Sequence, residues 1–196
     1  VSTDFYVRWM SLYNNVQSRS IKEVAEEAAY TWFNRFMAIR IMAKQGFIAP
    51  VLEYESEDVR VPAIVSEARQ GRMPQMKEAV RVQLMELLDD DSKTSEQFTL
   101  LIVAYCHENP IINKCFGAIA DYTELLFPQN ILLDGGFVDM INRLSSESND
   151  ECAQSLPSRK GGRPTVNHTE FITDEQYASA ELIGWLYQFY ISDRKD

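Results

Sequence analysis

The residues of this chain best suited to chemistry are three cysteines and two histidines, and their spacing forms no recognisable site. The cysteines are Cys106, Cys115 and Cys152, and the histidines are His107 and His168. No two of them have the CxxC or HxxxH spacing that lets two ligands converge on one zinc ion. Cys106 and Cys115 sit among apolar residues, where a buried thiol is normal. We therefore expect core cysteines and surface histidines rather than a metal site.

Catalytic motifs are also missing from the sequence. A nucleophilic serine or cysteine needs a neighbouring base, and the same two histidines are the only side chains that ordinarily titrate near neutrality. There is no GxSxG turn to expose a serine. The glycine pairs Gly135-Gly136 and Gly161-Gly162 do not extend to nucleotide-binding patterns. The acidic run Asp89–Asp91 lacks the alternating ligands of a calcium loop, which favours a solvated turn.

One basic cluster, Ser158–Pro164, is a candidate DNA contact through Arg159, Lys160 and Arg163. Its Gly-Arg-Pro core is similar to an AT-hook, in which arginine enters the narrow minor groove. The flanking arginine of that motif is missing because Gly161 takes its place. A plain solvated loop is therefore the favoured interpretation of this cluster.

The overall charge disfavours nucleic-acid binding by most of the surface. The 196 residues include 29 acidic and 19 basic side chains, a net charge of −10, whereas DNA-binding surfaces neutralise phosphates with lysine and arginine. We expect most of this surface to face protein. Three cysteines without a disulfide framework indicate a reducing, cytoplasmic setting, and no apolar run approaches the roughly 20 residues of a membrane span.

A long helix over 21–45 is the clearest element in the sequence. Ser20 and Glu23 form a capping box at its start, apolar residues recur along it at helical spacing, and Gly46 supplies a left-handed stop. We predict that this helix is largely buried, with Trp32 in the core.

The aromatic residues of this helix could stack on nucleic-acid bases, but their helical spacing and apolar neighbours favour a core position. They are Tyr30, Trp32, Phe33 and Phe36. Arg35 and Arg40 lie five residues apart, so we expect them not to share one face of the helix.

Shorter helices are predicted along the rest of the first 144 residues. The first of these helices covers 74–88. The second is capped by Thr94 or Ser95 and ends near Glu108. Two more are predicted over 111–120 and 121–126, and the last follows Gly136. Asn109-Pro110 ends the second of these, because proline disfavours helix in the residue before it. Extended pieces at 47–51 and 54–61 leave room for one short β-hairpin. The fold class is thus an all-α, irregular domain of about six to eight helices.

We divide the chain into a helical N-terminal domain over 1–144, a flexible and partly basic loop over 145–170, and a C-terminal helix within 171–196. The loop is rich in serine, glycine and proline and lacks periodicity. The final helix, predicted over about 174–192, is apolar nearly all round, which is typical of a buried helix. We expect part of its packing surface to come from residues beyond Asp196.

Three segments of the chain resemble the PglX-type adenine-specific DNA methyltransferases of BREX bacteriophage-defence systems. The first is AYTWFNRF with Ala38, Ile39 and Arg40 after it, the second is DYTELL with Pro128 and Asn130, and the third is IGWLYQFYIS closing with Lys195-Asp196. They occur in the order that the family has. The stretch 145–170 has the character of an insertion between the second and the third.

The resemblance implies a large parent enzyme that uses S-adenosylmethionine to methylate N6 of adenine in DNA, in the manner of a type II restriction-modification system. Such enzymes hold the cofactor in a glycine-containing loop and the flipped base in an Asn-Pro-Pro-Tyr-type motif. Neither occurs here, since Asn109-Pro110 is followed by two isoleucines. No catalytic, cofactor-binding or metal residue therefore carries over.

The function implied for this segment is a non-catalytic helical domain that precedes the methyltransferase core and packs against it. It would position DNA, or another defence protein, for the parent enzyme. The alternative is a stand-alone helical module for protein–protein interaction with no enzymatic activity.

Overall fold

The computed structural model describes residues 3–56 and 59–146. These residues form eight α-helices and one short 3-10 helix and include no β-strand. The α-helices are α1 (Thr3–Ser18), α2 (Ile21–Lys44), α3 (Ala63–Arg69), α4 (Glu78–Leu87), α5 (Thr94–Glu108), α6 (Pro110–Phe116), α7 (Asp121–Leu125) and α8 (Phe137–Ser146). The prediction of an all-α domain is confirmed. No helix in these two ranges is long and apolar enough to cross a membrane.

The α2 helix forms as predicted and is the central element of the fold. Its first free amides are capped by Ser20, whose hydroxyl oxygen accepts the N–H of Glu23 at 3.1 Å. Gly46 ends it at a φ of +74°, a conformation that glycine adopts without a steric penalty. The turn lets the Phe47 N–H donate to the Met42 carbonyl at 2.9 Å, as in a Schellman motif.

The hydrophobic core is built around α2 and α5. Phe36 of α2 stacks on Phe98 of α5 with ring centroids 6.4 Å apart. Every other helix from α3 to α8 except α7 adds at least one buried apolar residue to the same cluster, and these residues are Ile64, Val65, Ala68, Leu84, Ile112, Val138 and Ile141. Such a core is a rigid scaffold on which surface residues can be held in place.

The predicted β-hairpin reduces to a single antiparallel bridge between Tyr54 and Pro62. Proline has no N–H to extend a ladder, and Pro62 leads directly into α3. A side chain supplies hydrogen bonds in this region instead. Asn142 of α8 accepts the Tyr54 N–H at 3.2 Å and donates to the Leu52 carbonyl at 2.9 Å.

Two helices, α1 and α3, are not predicted by the sequence pattern, and α4 begins at Glu78 rather than near 74. Met73 and Met76 would belong to the predicted stripe of that helix. They lie instead in the irregular connection before α4 and pack against the core from there. At the other end of the described chain, α8 continues through Ser146, two residues into the predicted loop.

The predicted caps of α5, Thr94 and Ser95, do not cap it. The short 3-10 helix Asp91–Lys93 runs directly into α5, which begins at Thr94. Asp90 caps that 3-10 turn by accepting the Ser92 N–H at 2.9 Å. The helix therefore continues an existing turn and does not start from a capped coil residue.

The break predicted at Asn109-Pro110 is present, and Asn109 serves both helices that meet there. It ends α5 and caps α6, because its side-chain oxygen accepts the N–H groups of Ile111 and Ile112 at 3.0 and 3.1 Å. Pro110 stands at the first position of α6, where a missing N–H costs nothing.

Candidate functional site

The first two segments that carry the family resemblance, 29–40 and 121–130, pack directly against each other. Trp32 of α2 is 2% exposed and donates its indole N–H to the carbonyl of Thr123 in α7 at 3.2 Å. The ring of Phe127 meets the Trp32 ring nearly edge-on, with centroids 4.7 Å apart. The predicted core position of Trp32 is confirmed. The unusual residues of these two segments are therefore a buried contact between helices.

A polar contact extends the same junction toward solvent. Tyr122 donates its hydroxyl to one oxygen of Glu27 at 2.6 Å, and Arg19 pairs with the other oxygen. Burial raises the pKa of Tyr122, and its hydrogen bond to the Glu27 carboxylate raises it further. The phenol is thereby kept protonated as a donor, which ties α7 to α2.

Arg35 is buried and binds the C-terminal end of α6. It is 4% exposed and donates to the Gly117 carbonyl at 2.9 Å and the Phe116 carbonyl at 3.4 Å. Its guanidinium carbon lies 5.6 Å from the centre of the Phe116 ring. A cation at the C-terminal end of a helix is favoured by the free carbonyls there, while burial lowers the pKa of Arg35.

Arg40 is buried more deeply and has a different set of partners. It is 1% exposed, pairs with Glu53 at 2.8 Å and donates to the Ile141 carbonyl at 3.4 Å. Glu53 also accepts the N–H groups of Val51 and Leu52. The two arginines of α2 thus reach different neighbours, as their spacing indicates. Both are committed to internal contacts and are closed to a phosphate group.

A cluster of charged side chains joins α1, α5 and α7. Glu124 of α7 binds Arg8 at 2.5 Å through one carboxylate oxygen and His107 at 2.6 Å through the other. Burial alone would raise the pKa of Glu124, but the hydrogen bond from His107 and the charge of Arg8 outweigh it, so the pKa is lowered. Because both oxygens are occupied, the cluster acts as a clamp between three helices. No spacing in the sequence predicts it.

The α1 helix displays large apolar side chains to solvent and buries none. The exposed ones, each between 47% and 58% accessible, are Phe5, Tyr6, Val7, Trp9 and Tyr13. Trp9 and Tyr13 stack with centroids 5.7 Å apart at an angle of 14°. The only charged residues of α1, Asp4 and Arg8, pair with each other at 3.0 Å.

Tyr6, Trp9 and Tyr13 follow one another at spacings of three and four residues, so they lie on one side of α1. We term these three residues the aromatic face of α1. Aromatic enrichment with charge depletion is the composition of the core of a protein–protein interface, and exposed apolar patches commonly mark such sites. This face is the candidate interaction surface in the described part of the chain.

The two cysteines that the structure describes differ from each other. Cys106 is buried, as predicted, and burial raises its pKa to about 12. Cys115 is exposed, which contradicts its predicted core position, because it lies on the outer side of the short helix α6. His107 is at the surface, as predicted. The described residues bring no three potential metal ligands together.

The candidate DNA contact predicted from the sequence, Arg159, Lys160 and Arg163, lies outside the described residues. The loop of 145–170, from position 147 onward, and the predicted final helix with Trp185 lie outside them as well. Those expectations stay predictions.

Comparison with known proteins relates the chain to two enzymes along nearly its whole length. It is 27% identical over 191 residues to the adenine-specific methyltransferase BrxX of Escherichia coli O9:H4 (strain HS), an alignment that covers 94% of this chain and 13% of that protein. It is 25% identical over 190 residues to the adenine-specific methyltransferase PglX of Lacticaseibacillus casei (strain Zhang), an alignment that covers 91% of this chain and 14% of that protein. No protein-family model matches, and no solved structure matches significantly.

These alignments confirm the resemblance to PglX-type methyltransferases. Since they cover at least 91% of the chain, the similarity also includes stretches outside the three segments. The chain spans 13 to 14% of the length of the relatives it matches.

Proposed function

We propose that this chain, a relative of the PglX-type adenine-specific methyltransferases, is a non-catalytic helical N-terminal domain of a DNA methyltransferase that acts in a BREX-type phage-defence system. The observation that carries the proposal is the extent of the match. Nearly all of this chain aligns with 13 to 14% of each relative, which is the relation of one domain to a larger enzyme.

In this proposal the parent enzyme transfers a methyl group from S-adenosylmethionine to N6 of adenine, and a core elsewhere in the parent holds both the cofactor and the flipped base. The helical domain packs against that core and positions DNA or another defence protein. Its sequence contains neither a glycine-rich cofactor loop nor an Asn-Pro-Pro-Tyr-type motif, which supports a role outside the chemical step.

Charge supports contact with protein over contact with DNA. With a net charge of −10, the domain as a whole repels phosphates. The buried arginines of α2, Arg35 and Arg40, are held by carbonyl and carboxylate groups of this domain. The aromatic face of α1, by contrast, is suited to a protein surface.

The proposal is tested in the full-length parent by deleting the segment that corresponds to this chain. We expect the remaining core to bind S-adenosylmethionine with unchanged affinity in calorimetry, while N6-methyladenine formation on DNA falls at least tenfold. Methylation at the parental rate by the deletion protein would show that the domain positions nothing. A saturable heat of S-adenosylmethionine binding to the isolated chain would contradict its non-catalytic role.

The coding sequence that follows Asp196 distinguishes this proposal from the alternative of a stand-alone interaction module. The methyltransferase proposal requires a glycine-rich cofactor loop and an Asn-Pro-Pro-Tyr-type motif in the same reading frame. A stop codon close behind Asp196 would favour the stand-alone module.

A further inference from the structure

The aromatic face of α1 is exposed on a helix that is otherwise firmly attached to the domain. Arg8 anchors α1 to Glu124 at 2.5 Å, so the side of the helix that carries Arg8 is turned toward α7. Tyr6, Trp9 and Tyr13 remain 47% to 58% exposed. A fixed helix with an aromatic, uncharged outer side is a surface prepared for a partner, because rigid aromatic side chains lose little conformational entropy on binding.

The chain itself contains an apolar segment that has to be buried. Residues 181–192 read ELIGWLYQFYIS and carry a single charge, that of Glu181. A helix of this composition is apolar nearly all round and cannot leave all its sides in water. Burying it against α1 would bring together two apolar surfaces.

We propose that the aromatic face of α1 is the docking surface for residues 181–192 of the same chain. The attraction would come from contacts between Trp9 and Tyr13 of α1 and Trp185 and Phe189 of the helix predicted from the sequence. The opposite side of the apolar helix stays available for a second partner, such as the methyltransferase core.

Charge favours this pairing over other surfaces of the domain. The chain carries ten more acidic than basic residues, so surfaces brought together at random tend to repel each other. The charged residues of α1, Asp4 and Arg8, already neutralise each other at 3.0 Å. Covering the aromatic face therefore leaves no isolated charge in a dry interface.

The length of the chain permits the contact. Residues 147–180 separate the end of α8 from the segment, and an extended chain covers about 3.3 Å per residue. A domain of this size has a radius of gyration on the order of 15 Å. Residues 147–180 are therefore long enough to span the domain from the end of α8 to α1.

Hydrogen exchange of the full 196-residue chain tests the proposal. We expect amides in 181–192 to be protected in the parent chain, and a Trp9→Ser/Tyr13→Ser variant to lose that protection at least tenfold. Amides of α2 are read in the same experiment, and their unchanged protection shows that the variant is folded. Phe47→Ser is the matched control, because Phe47 is 71% exposed but lies outside α1, and it should leave 181–192 unaffected.

The reciprocal variant, Trp185→Ser/Phe189→Ser, should accelerate exchange in α1 while α2 stays protected. Free exchange of 181–192 in the parent chain would overturn the proposal, as would protection that survives Trp9→Ser/Tyr13→Ser. Protection that disappears on dilution, together with a dimer in light scattering, would assign the aromatic face to a second copy instead. These outcomes do not depend on methyltransferase activity, so they can fail independently of the proposed function.

Discussion

Trp32 and Thr123 are joined by a hydrogen bond of 3.2 Å from the indole N–H to the backbone carbonyl, although they lie 91 positions apart in the chain. Each belongs to a segment that resembles the PglX-type enzymes. The contact shows what these segments do in the described domain. They fasten α7 onto the central helix, and the residues in them that look most specific are structural.

Replacing Trp32 tests this role. We expect Trp32→Ala to lower the free energy of unfolding by about 3–5 kcal/mol, because it removes a fully buried ring and leaves a cavity. Trp32→Phe keeps most of the apolar volume but leaves the Thr123 carbonyl without its donor, at a cost of about 1–3 kcal/mol. Urea titrations measure both, with the exposed Phe47→Ala as the control. Equal stability of all three variants would contradict the burial of Trp32.

The buried pair of Arg40 and Glu53 should be sensitive to the loss of one partner. Glu53→Gln removes the carboxylate that pairs with the buried Arg40 guanidinium at 2.8 Å, and we expect a loss of about 3–5 kcal/mol. The double variant Arg40→Met/Glu53→Gln should recover part of that loss, since no charge then stays buried. Lys22→Ala breaks an exposed pair with Glu26 and should leave the urea midpoint unchanged. A double variant less stable than Glu53→Gln would argue against this account.

Acid should weaken the clamp around Glu124. The pKa of Glu124 is lowered below its ordinary value of 4.5, so the folded state binds its proton less readily than the unfolded state does. The resulting stability is present above pH 4.5 and is lost as the pH falls through the folded-state pKa. Arg8 and His107 are the cationic partners that face this carboxylate.

We therefore expect the parent chain to keep its stability advantage over Glu124→Gln above pH 4.5 and to lose it as the pH falls below that value. Denaturant titrations at several pH values provide the comparison. A difference between the two proteins that stays constant across this range would show that Glu124 does not titrate as described.

The two described cysteines should differ sharply in reactivity. Only the thiolate is nucleophilic, and the pKa of about 12 keeps the buried Cys106 protonated near neutral pH, whereas Cys115 is exposed. In a Cys152→Ser background we expect maleimide to label Cys115 at least ~100-fold faster than Cys106. Mass spectrometry of the peptides gives both rates, and guanidinium should make them converge. Equal rates in the native chain would contradict the burial of Cys106.

DNA binding by the isolated chain should be weak and should fall steeply with added salt, because its net charge of −10 opposes phosphates. If Arg159, Lys160 and Arg163 provide a contact, replacing all three by serine should abolish the binding that remains at low salt. Fluorescence anisotropy with a labelled duplex measures this. Binding that is tight and insensitive to salt would refute the charge argument.

The sequence alone was sufficient for the all-α class, for α2 with its Ser20 cap and Gly46 stop, and for the relation to PglX-type methyltransferases. Each of these can be predicted because helical spacing, caps and characteristic segments involve residues that lie close together in the sequence. The helix stop at Asn109-Pro110 belongs to the same group. It is visible because proline acts on the residue directly before it.

Only the tertiary structure decided that both arginines of α2 are buried and that α1 displays its aromatic face. Arg35 and Arg40 are internal because carbonyls of α6 and α8 and the carboxylate of Glu53 come to them from distant parts of the chain. The aromatic face of α1 lies in solvent, while Arg8 of the same helix binds Glu124, 116 positions away in the chain. Partners at such separations leave no periodic trace in the sequence, and they determine which face of each helix meets the core and which meets solvent.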